Sequence, residues 1–406
     1  MRKHLFLFSI LISTFGIAQS QNQITIGLVD SIYSDVLKEQ RKVFIYLPEK
    51  IDSSKTSKYP VIYLLDGSVY FTSISSIVQQ MSSFGATSFP KSIVVAIPNT
   101  DRDRDLTPDD PTKNYIDSTG IIRFTAFLEN ELIPFIDSIY PTLPYRTLVG
   151  HSLGGSFVIN TLLDHPELFT NYLAIDPGMK FHDYEFYKKA LKTLRINKYE
   201  GKSLFLTVAN TMPEDMDTST VLKDTSWITS TIRTNLLFAK NLDRISNNKL
   251  DYRWSYYPDE NHISVHTISA YEGLKYFFRW NMIDLDKIIR TDPSISSESF
   301  YKRIIDHYQI VSHKLGYEIL PDWDQINDLG YYFLKREDIE GAALFFAFNL
   351  DKHPENSNSW DSMGDYYVAK SLEEKATEMF TRAIEIDGNR YSIQKLEELN
   401  RQTAEE

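Results

Sequence analysis

The pentapeptide Gly150-His151-Ser152-Leu153-Gly154 stands between the short apolar run Thr147-Leu148-Val149 and the helix-like stretch Gly155-Ser156-Phe157-Val158-Ile159-Asn160. A serine framed by two glycines at a strand-to-helix junction constrains this chain more than any other feature. The glycines let the backbone take a turn too tight for larger residues, which leaves the hydroxyl exposed where the strand ends. A strand feeding such a turn belongs in a sheet covered by helices.

The flanking sequence has the form that this requires. Between Gln40 and Asp176, β-branched runs alternate with longer amphipathic stretches. The runs are Lys42 to Leu47, Val61 to Leu65, Ile93 to Ile97, Thr147 to Val149 and Tyr172 to Ile175. Such runs read as buried strands of a mostly parallel sheet. Ile121 to Ile139 carries Phe124, Phe127, Leu128, Leu132, Ile133 and Ile136 at helical spacing, as a crossover between parallel strands needs. Two further strands are expected at Ser203 to Val208 and Tyr252 to Tyr257, and the sheet region ends near Asn281.

Beyond the serine-rich stretch 294–299 only helices are expected, and an internal repeat accounts for them. Gly330, Ala342, Phe346 and Pro354 recur 34 residues later as Gly364, Ala376, Phe380 and Gly388. Leu329/Met363 and Tyr332/Tyr366 keep step, while Trp360 answers to Ile326. This is the tetratricopeptide period, in which small residues let two antiparallel helices approach and a bulky Phe fills the next groove. Two repeats bury little surface alone, so the segments Glu298 to Leu315 and Tyr391 to Asn400 are expected to cap them. The resulting division is a leader at 1–18, an α/β domain at 19–285, a helical linker at 286–321 and an all-α repeat region at 322–406.

The leader is read from Met1-Arg2-Lys3-His4 followed by the 13 largely apolar residues Leu5 to Ile17, with small residues at Gly16 and Ala18. That run is shorter than the roughly 20 residues a membrane span needs, so it predicts an exported protein without a membrane span. The net charge of −12 argues against a nucleic-acid partner. With no cysteine, the chain has neither disulfides nor a thiol nucleophile.

A serine becomes nucleophilic only beside a base, which in turn is oriented by an acid. His262 lies in the turn Pro258-Asp259-Glu260-Asn261-His262 after the last predicted strand, where it could reach over the sheet to take the Ser152 proton. The competing His266 would form a His-x3-His pair of metal-ligand spacing, but no Glu stands beside the first histidine. For the acid, the loop after Val208 offers Glu214, Asp215 and Asp217. Asp217 is favoured and Glu214 stands close behind. One oxyanion donor is expected to be the backbone N–H of Leu153, and the second that of Gly67 or Ser68 in the loop after Leu65. Arg102 and Arg104, in the loop after Ile97, could hold an anionic part of a substrate or pair within a surface loop.

With these residues in view, the stretch from about Gln40 to Asn281 resembles the esterase D-type branch of the α/β-hydrolases, the group that includes enterobactin-type siderophore esterases. The matching pieces are Leu65-Asp66-Gly67, Pro98-Asn99-Thr100-Asp101-Arg102, Gly150-His151-Ser152-Leu153-Gly154-Gly155 and Asp259-Glu260-Asn261-His262-Ile263-Ser264-Val265. The resemblance implies an α/β-hydrolase fold and hydrolysis of a small-molecule carboxylic ester through an acyl-enzyme on Ser152, without metal or cofactor. Relatives act on siderophore, acyl-sugar and thioester substrates. Many carry the acid a few residues after a strand-ending glycine, where this chain has Ala209-Asn210 and a longer loop. Two alternatives stay open: an adaptor whose repeats bind a protein or peptide and whose hydrolase domain is a scaffold, and an acyltransferase using the same residues.

Overall fold

Apolar runs too short for helices become strands, and alternation within them decides which core each side chain joins. The computed structural model describes residues 24–48, 58–83, 89–108 and 119–405, so the leader at 1–18 lies outside the described residues. One sheet contains β1 (Leu28–Ser34), β2 (Glu39–Tyr46), β3 (Tyr59–Leu64), β4 (Ile93–Ala96), β5 (Thr142–His151), β6 (Asn171–Ile175), β7 (Ser203–Ala209) and β8 (Asp251–Tyr257). Their order is β1-β2-β4-β3-β5-β6-β7-β8. The β1–β2 and β2–β4 pairs are antiparallel, and every pair from β4 to β8 is parallel. β1 has no counterpart among the predicted strands. It is an edge strand exposed along most of its length and carries no continuous apolar run.

The connections are α1 (Gly67–Met81), α2 (Arg102–Leu106), α3 (Gly120–Phe127), α4 (Ile133–Ile139), α5 (Leu153–Asp164), α6 (Glu185–Ile196) and α7 (Ser230–Leu242), with α8 (Val265–Phe277) following β8. Val61 and Tyr63 face a core with Phe124, Phe157 and Phe238 from α3, α5 and α7. Ile62 and Leu64 point the other way, onto Ile74 and Val78 of α1 and Leu274 of α8. The helix predicted across Ile121 to Ile139 is interrupted by a π turn at Leu128–Leu132, where the Ile133 N–H donates to the Leu128 carbonyl five residues back. Pro134 lies just beyond, without the N–H that a regular ladder uses, and the wider turn absorbs the loss.

The rest of the chain is helical: α9 (Leu285–Thr291), α10 (Ser297–Leu315), α11 (Trp323–Leu334), α12 (Ile339–Lys352), α13 (Ser357–Ala369), α14 (Glu373–Asp387) and α15 (Arg390–Glu405). The α11–α12 pair recurs 34 residues later as α13–α14, and the small residues serve both pairs alike. A Cβ on Gly330 would lie 2.3 Å from the Phe346 ring, and one on Gly364 would lie 2.3 Å from that of Phe380. At one end α15 is tied on by Lys395, whose Nζ lies 2.6 Å from carboxylate oxygens of both Asp361 and Asp365.

α10 does more than link. Phe300 and Ile304 in its first half pack into the helical core with Phe333 and Phe345. Val311 and Leu315 in its second half pack into the sheet core with Tyr145 and Phe278. Among the described residues, no helix is long and apolar enough to cross a membrane.

Candidate active site

The functional side chains gather at the carboxyl ends of β5, β6 and β8, where the elbow projects Ser152 from the sheet. Ser152 has φ 58° and ψ −117°, a conformation that side chains avoid, and its N–H is anchored on the Ile175 carbonyl at 2.9 Å. Gly150 permits the turn, since a Cβ there would sit 2.3 Å from the Gly154 carbonyl oxygen. The hydroxyl of Ser152 lies 3.0 Å from Nε2 of His262. On the other side of the ring, Nδ1 of His262 lies 2.6 Å from Oδ2 of Asp176. A carboxylate accepts only, so Nδ1 carries the proton and Nε2 is free to accept from the serine.

The acid is therefore Asp176, not Asp217 or Glu214. Asp176 directly follows β6 and is 1% exposed. Its second oxygen accepts from the Ala209 N–H and the Asn235 amide, each at 3.1 Å. Asp217 is spent locally, because its Oδ1 accepts from the N–H groups of Ser219 and Thr220 and from the Ser219 hydroxyl. Those hydrogen bonds hold its carboxyl well below the usual range. Glu214 and Asp215 are exposed. The acid does stand at a strand's carboxyl end, one strand earlier than expected: after β6, not after β7. Asp176 closes the apolar run Tyr172-Leu173-Ala174-Ile175, and β6 is paired with the nucleophile's own strand, with Ile175 in register with His151.

The base reaches this point through a turn tied to its neighbours. The side chain of Asn261 accepts from the Ile263 and Ser264 N–H groups, and the Asn210 N–H donates to the Glu260 carbonyl. α8 then begins at Val265. His266, in its first turn, stacks on Tyr70 with ring centroids 3.5 Å apart.

Two backbone donors remain. Leu153 opens α5, and among the described residues its N–H has no acceptor. Of the two expected second donors, Gly67 is excluded because its N–H donates to the Ile97 carbonyl at 2.9 Å. A Cβ at Gly67 would lie 2.7 Å from the Ile97 nitrogen, so its role is the close approach to β4. The N–H of Ser68, in the first turn of α1, has no acceptor among the described residues and is the candidate that remains.

The arginines after β4 pair within the fold. Arg102 grips the buried Asp66 through Nε at 2.6 Å and Nη2 at 3.0 Å, and the same Nη2 reaches the His151 carbonyl at 3.2 Å. Arg104 holds Glu39 and Asp105, and with Arg41 keeps the Glu39 carboxyl down at about 2. Neither expectation describes this loop: the arginines are not confined to pairing within it but reach Asp66 after β3 and Glu39 on β2, and Arg102 also meets the elbow at the His151 carbonyl.

Residues 34–208 match the family model described as "Putative esterase". The chain is 28% identical over 189 residues to the ferri-bacillibactin esterase BesA of Bacillus subtilis, covering 42% of this chain and 65% of that protein. It is 30% identical over 163 residues to the uncharacterized protein YjcH of the same organism, covering 39% and 64%. The chain thus spans just under two thirds of the length of these curated relatives. Among solved structures, the IroE-like serine hydrolase of Shewanella oneidensis superposes with a TM-score of 0.63 at 29% identity, over 79% of this chain and 97% of that one. These likenesses are to an esterase family model and to a serine hydrolase, on an α/β sheet followed by a helical region.

Proposed function

We propose that this protein is an exported serine esterase that cleaves carboxylic esters, with siderophore-type esters the first class to examine. The observation that carries this reading is the continuous chain from the Ser152 hydroxyl through His262 to Asp176. Nε2 of His262 takes the serine proton as Oγ attacks the ester carbonyl. Asp176 holds the ring in the required tautomer and offsets the charge that the imidazolium gains. The developing oxyanion is met by the N–H groups of Leu153 and Ser68, each at the positive end of a helix. His262 returns the proton to the departing alcohol, and water then hydrolyses the acyl-enzyme by the same route.

Several features support the finer parts of the reading. BesA is named as an esterase of a ferric siderophore, which supports that substrate class here. Val69 and Ile263 are 69% and 71% exposed and stand in sequence beside Ser68 and His262, so two apolar side chains flank residues that this reading assigns to the reaction. The leader-like segment 1–18 supports export. The 34-residue helix pairs support a tetratricopeptide-type tail, and its seat on the sheet core through α10 supports a bracing role.

The test is turnover of short-chain p-nitrophenyl esters and a triscatecholate trilactone by the protein beside Ser152→Ala, with mass spectrometry after a fluorophosphonate probe. Turnover confined to the unsubstituted protein, with the label on Ser152, is the expected result. A folded protein that neither turns over nor takes the label overturns the reading.

A further inference from the structure

Next to the reacting groups lies a second set of buried side chains that the proton transfer does not use. His151, the residue before the nucleophile, is 4% exposed, and its Nε2 lies 2.6 Å from the main-chain carbonyl oxygen of His262. A carbonyl can only accept, so Nε2 carries the hydrogen and donates it. In the neutral ring Nδ1 is then an acceptor, and the Tyr70 hydroxyl stands 3.0 Å from it to donate. Tyr70 is itself fixed from a third direction by its stack on His266, whose ring planes lie within 8° of each other. Both ring nitrogens of His266 are buried without a partner among the described residues, which suits a neutral plate rather than a proton carrier.

The catalytic histidine is therefore held at its ring by Asp176 and at its backbone by His151. We infer that Tyr70 and His151 form a positioning pair that sets where the His262 imidazole stands over Ser152. Tyr70 comes from the first turns of α1, the helix that also carries the Ser68 N–H, so one short chain of hydrogen bonds ties the oxyanion-loop helix to the loop of the base. The groups facing His151 are Tyr70, His262, His266, Asp66 and Asp176, with Arg102 on its carbonyl. Burial and the neighbouring His262 hold the His151 ring below its ordinary pKa, in keeping with the neutral form that this bonding needs. Neither residue touches the reacting atoms. Their effect passes through the placement of His262, and a displacement of about 1 Å in a catalytic group can cost on the order of 100-fold in rate.

This inference rests on the esterase reading, and the experiment separates the two. Steady-state kinetics on p-nitrophenyl butyrate would compare the unsubstituted protein with Ser152→Ala, His151→Leu, His151→Gln and Tyr70→Phe. The Gln side chain can place an N–H near the position of the imidazole Nε2, whereas Leu cannot. The expected result for His151→Leu is a loss in kcat of roughly 10- to 100-fold with KM little changed. His151→Gln should recover most of that loss, and Tyr70→Phe, which keeps the stack on His266, should show a smaller one. Active unsubstituted protein with full kcat in both His151→Leu and Tyr70→Phe overturns the inference and leaves the esterase reading intact. Equal losses in the Leu and Gln variants, with equal falls in thermal stability, also overturn it, by reducing His151 to a space-filling group. If His151→Leu does not fold, full kcat in Tyr70→Phe decides against the pair and a lowered one with unchanged melting decides for it. No turnover and no probe labelling in the unsubstituted protein removes both readings together.

Discussion

His262 and Asp176 meet through a 2.6 Å contact in which the carboxylate is almost wholly buried while the imidazole remains partly open to solvent. The second oxygen of Asp176 is occupied by a backbone N–H and an Asn235 amide, so the carboxylate cannot turn away from the ring. Replacing it with an amide allows an N–H to face Nδ1, which favours the tautomer that can no longer accept the serine proton. Asp176→Asn should therefore lower kcat by about 10⁴-fold. Asp217→Asn and Glu214→Gln should leave it unchanged, and kinetics on one p-nitrophenyl ester for the three variants distinguishes the carboxylates.

The second oxyanion donor is a backbone group, so only its removal can test it. Proline has no N–H and is tolerated in the first turn of a helix, which is where Ser68 stands. Ser68→Pro should reduce kcat by roughly 10²- to 10³-fold while the fluorophosphonate still marks Ser152. Ser68→Ala, which keeps the N–H, should turn over normally. Similar kcat in the Pro variant and the unsubstituted protein would remove Ser68 from the oxyanion site.

His266 makes stability depend on pH. Burial pushes its ring down to about 3, below the value near 6.5 that it takes in an unfolded chain. Between those values the unfolded state binds the proton and the folded state does not, so stability falls as pH drops from about 6.5 towards 3 and is fully present above that window. At pH 5 the cost from this one group is at most about 2 kcal/mol. Melting curves from pH 7.5 to 5 should show a shallower decline in His266→Phe, which keeps the aromatic stack. Parallel declines in the two proteins would show that His266 is not a source.

The two halves of α10 make a separable prediction about the tail. Val311→Asp places a charge in the sheet core to which Tyr145 and Phe278 also belong, and it should abolish soluble expression or turnover. Phe380→Ala empties the groove over Gly364, in the second helix pair, and should cost about 3–5 kcal/mol in the stability of the tail. Turnover at 25 °C should survive that second change. Loss of turnover in Phe380→Ala without global unfolding would instead show that the outer helices act on the site.

Most of the sheet was legible because its strands are buried on both faces and read as unbroken apolar runs, from Val61-Ile62-Tyr63-Leu64 to Leu204-Phe205-Leu206. β1 was not, since an exposed edge leaves no such run. Ser152 and His262 stood out through local patterns: glycines around one, and a turn after the last strand for the other. Asp176 closes an apolar run, but so does Asp66, and that pattern alone does not choose between them. The position of the acid depends on which two strands lie side by side, and adjacency in a sheet is a property of topology. The pairing of Arg102 with Asp66, 36 residues apart, and the contact of His151 with the His262 carbonyl, 111 apart, were hidden for the same reason.

With the acid seated on β6, the long segment from Asn210 to Thr229 carries no member of the triad. Its own turns are closed by Asp217 and Asp224, each bonded to nearby serine and threonine groups. Trp227 and Ile228 are exposed, and exchanging either for another group leaves the Ser152–His262–Asp176 relay untouched. The chemistry stands on the ends of β5 and β6 and on the turn after β8, and the acids of the loop after β7 can change without touching it.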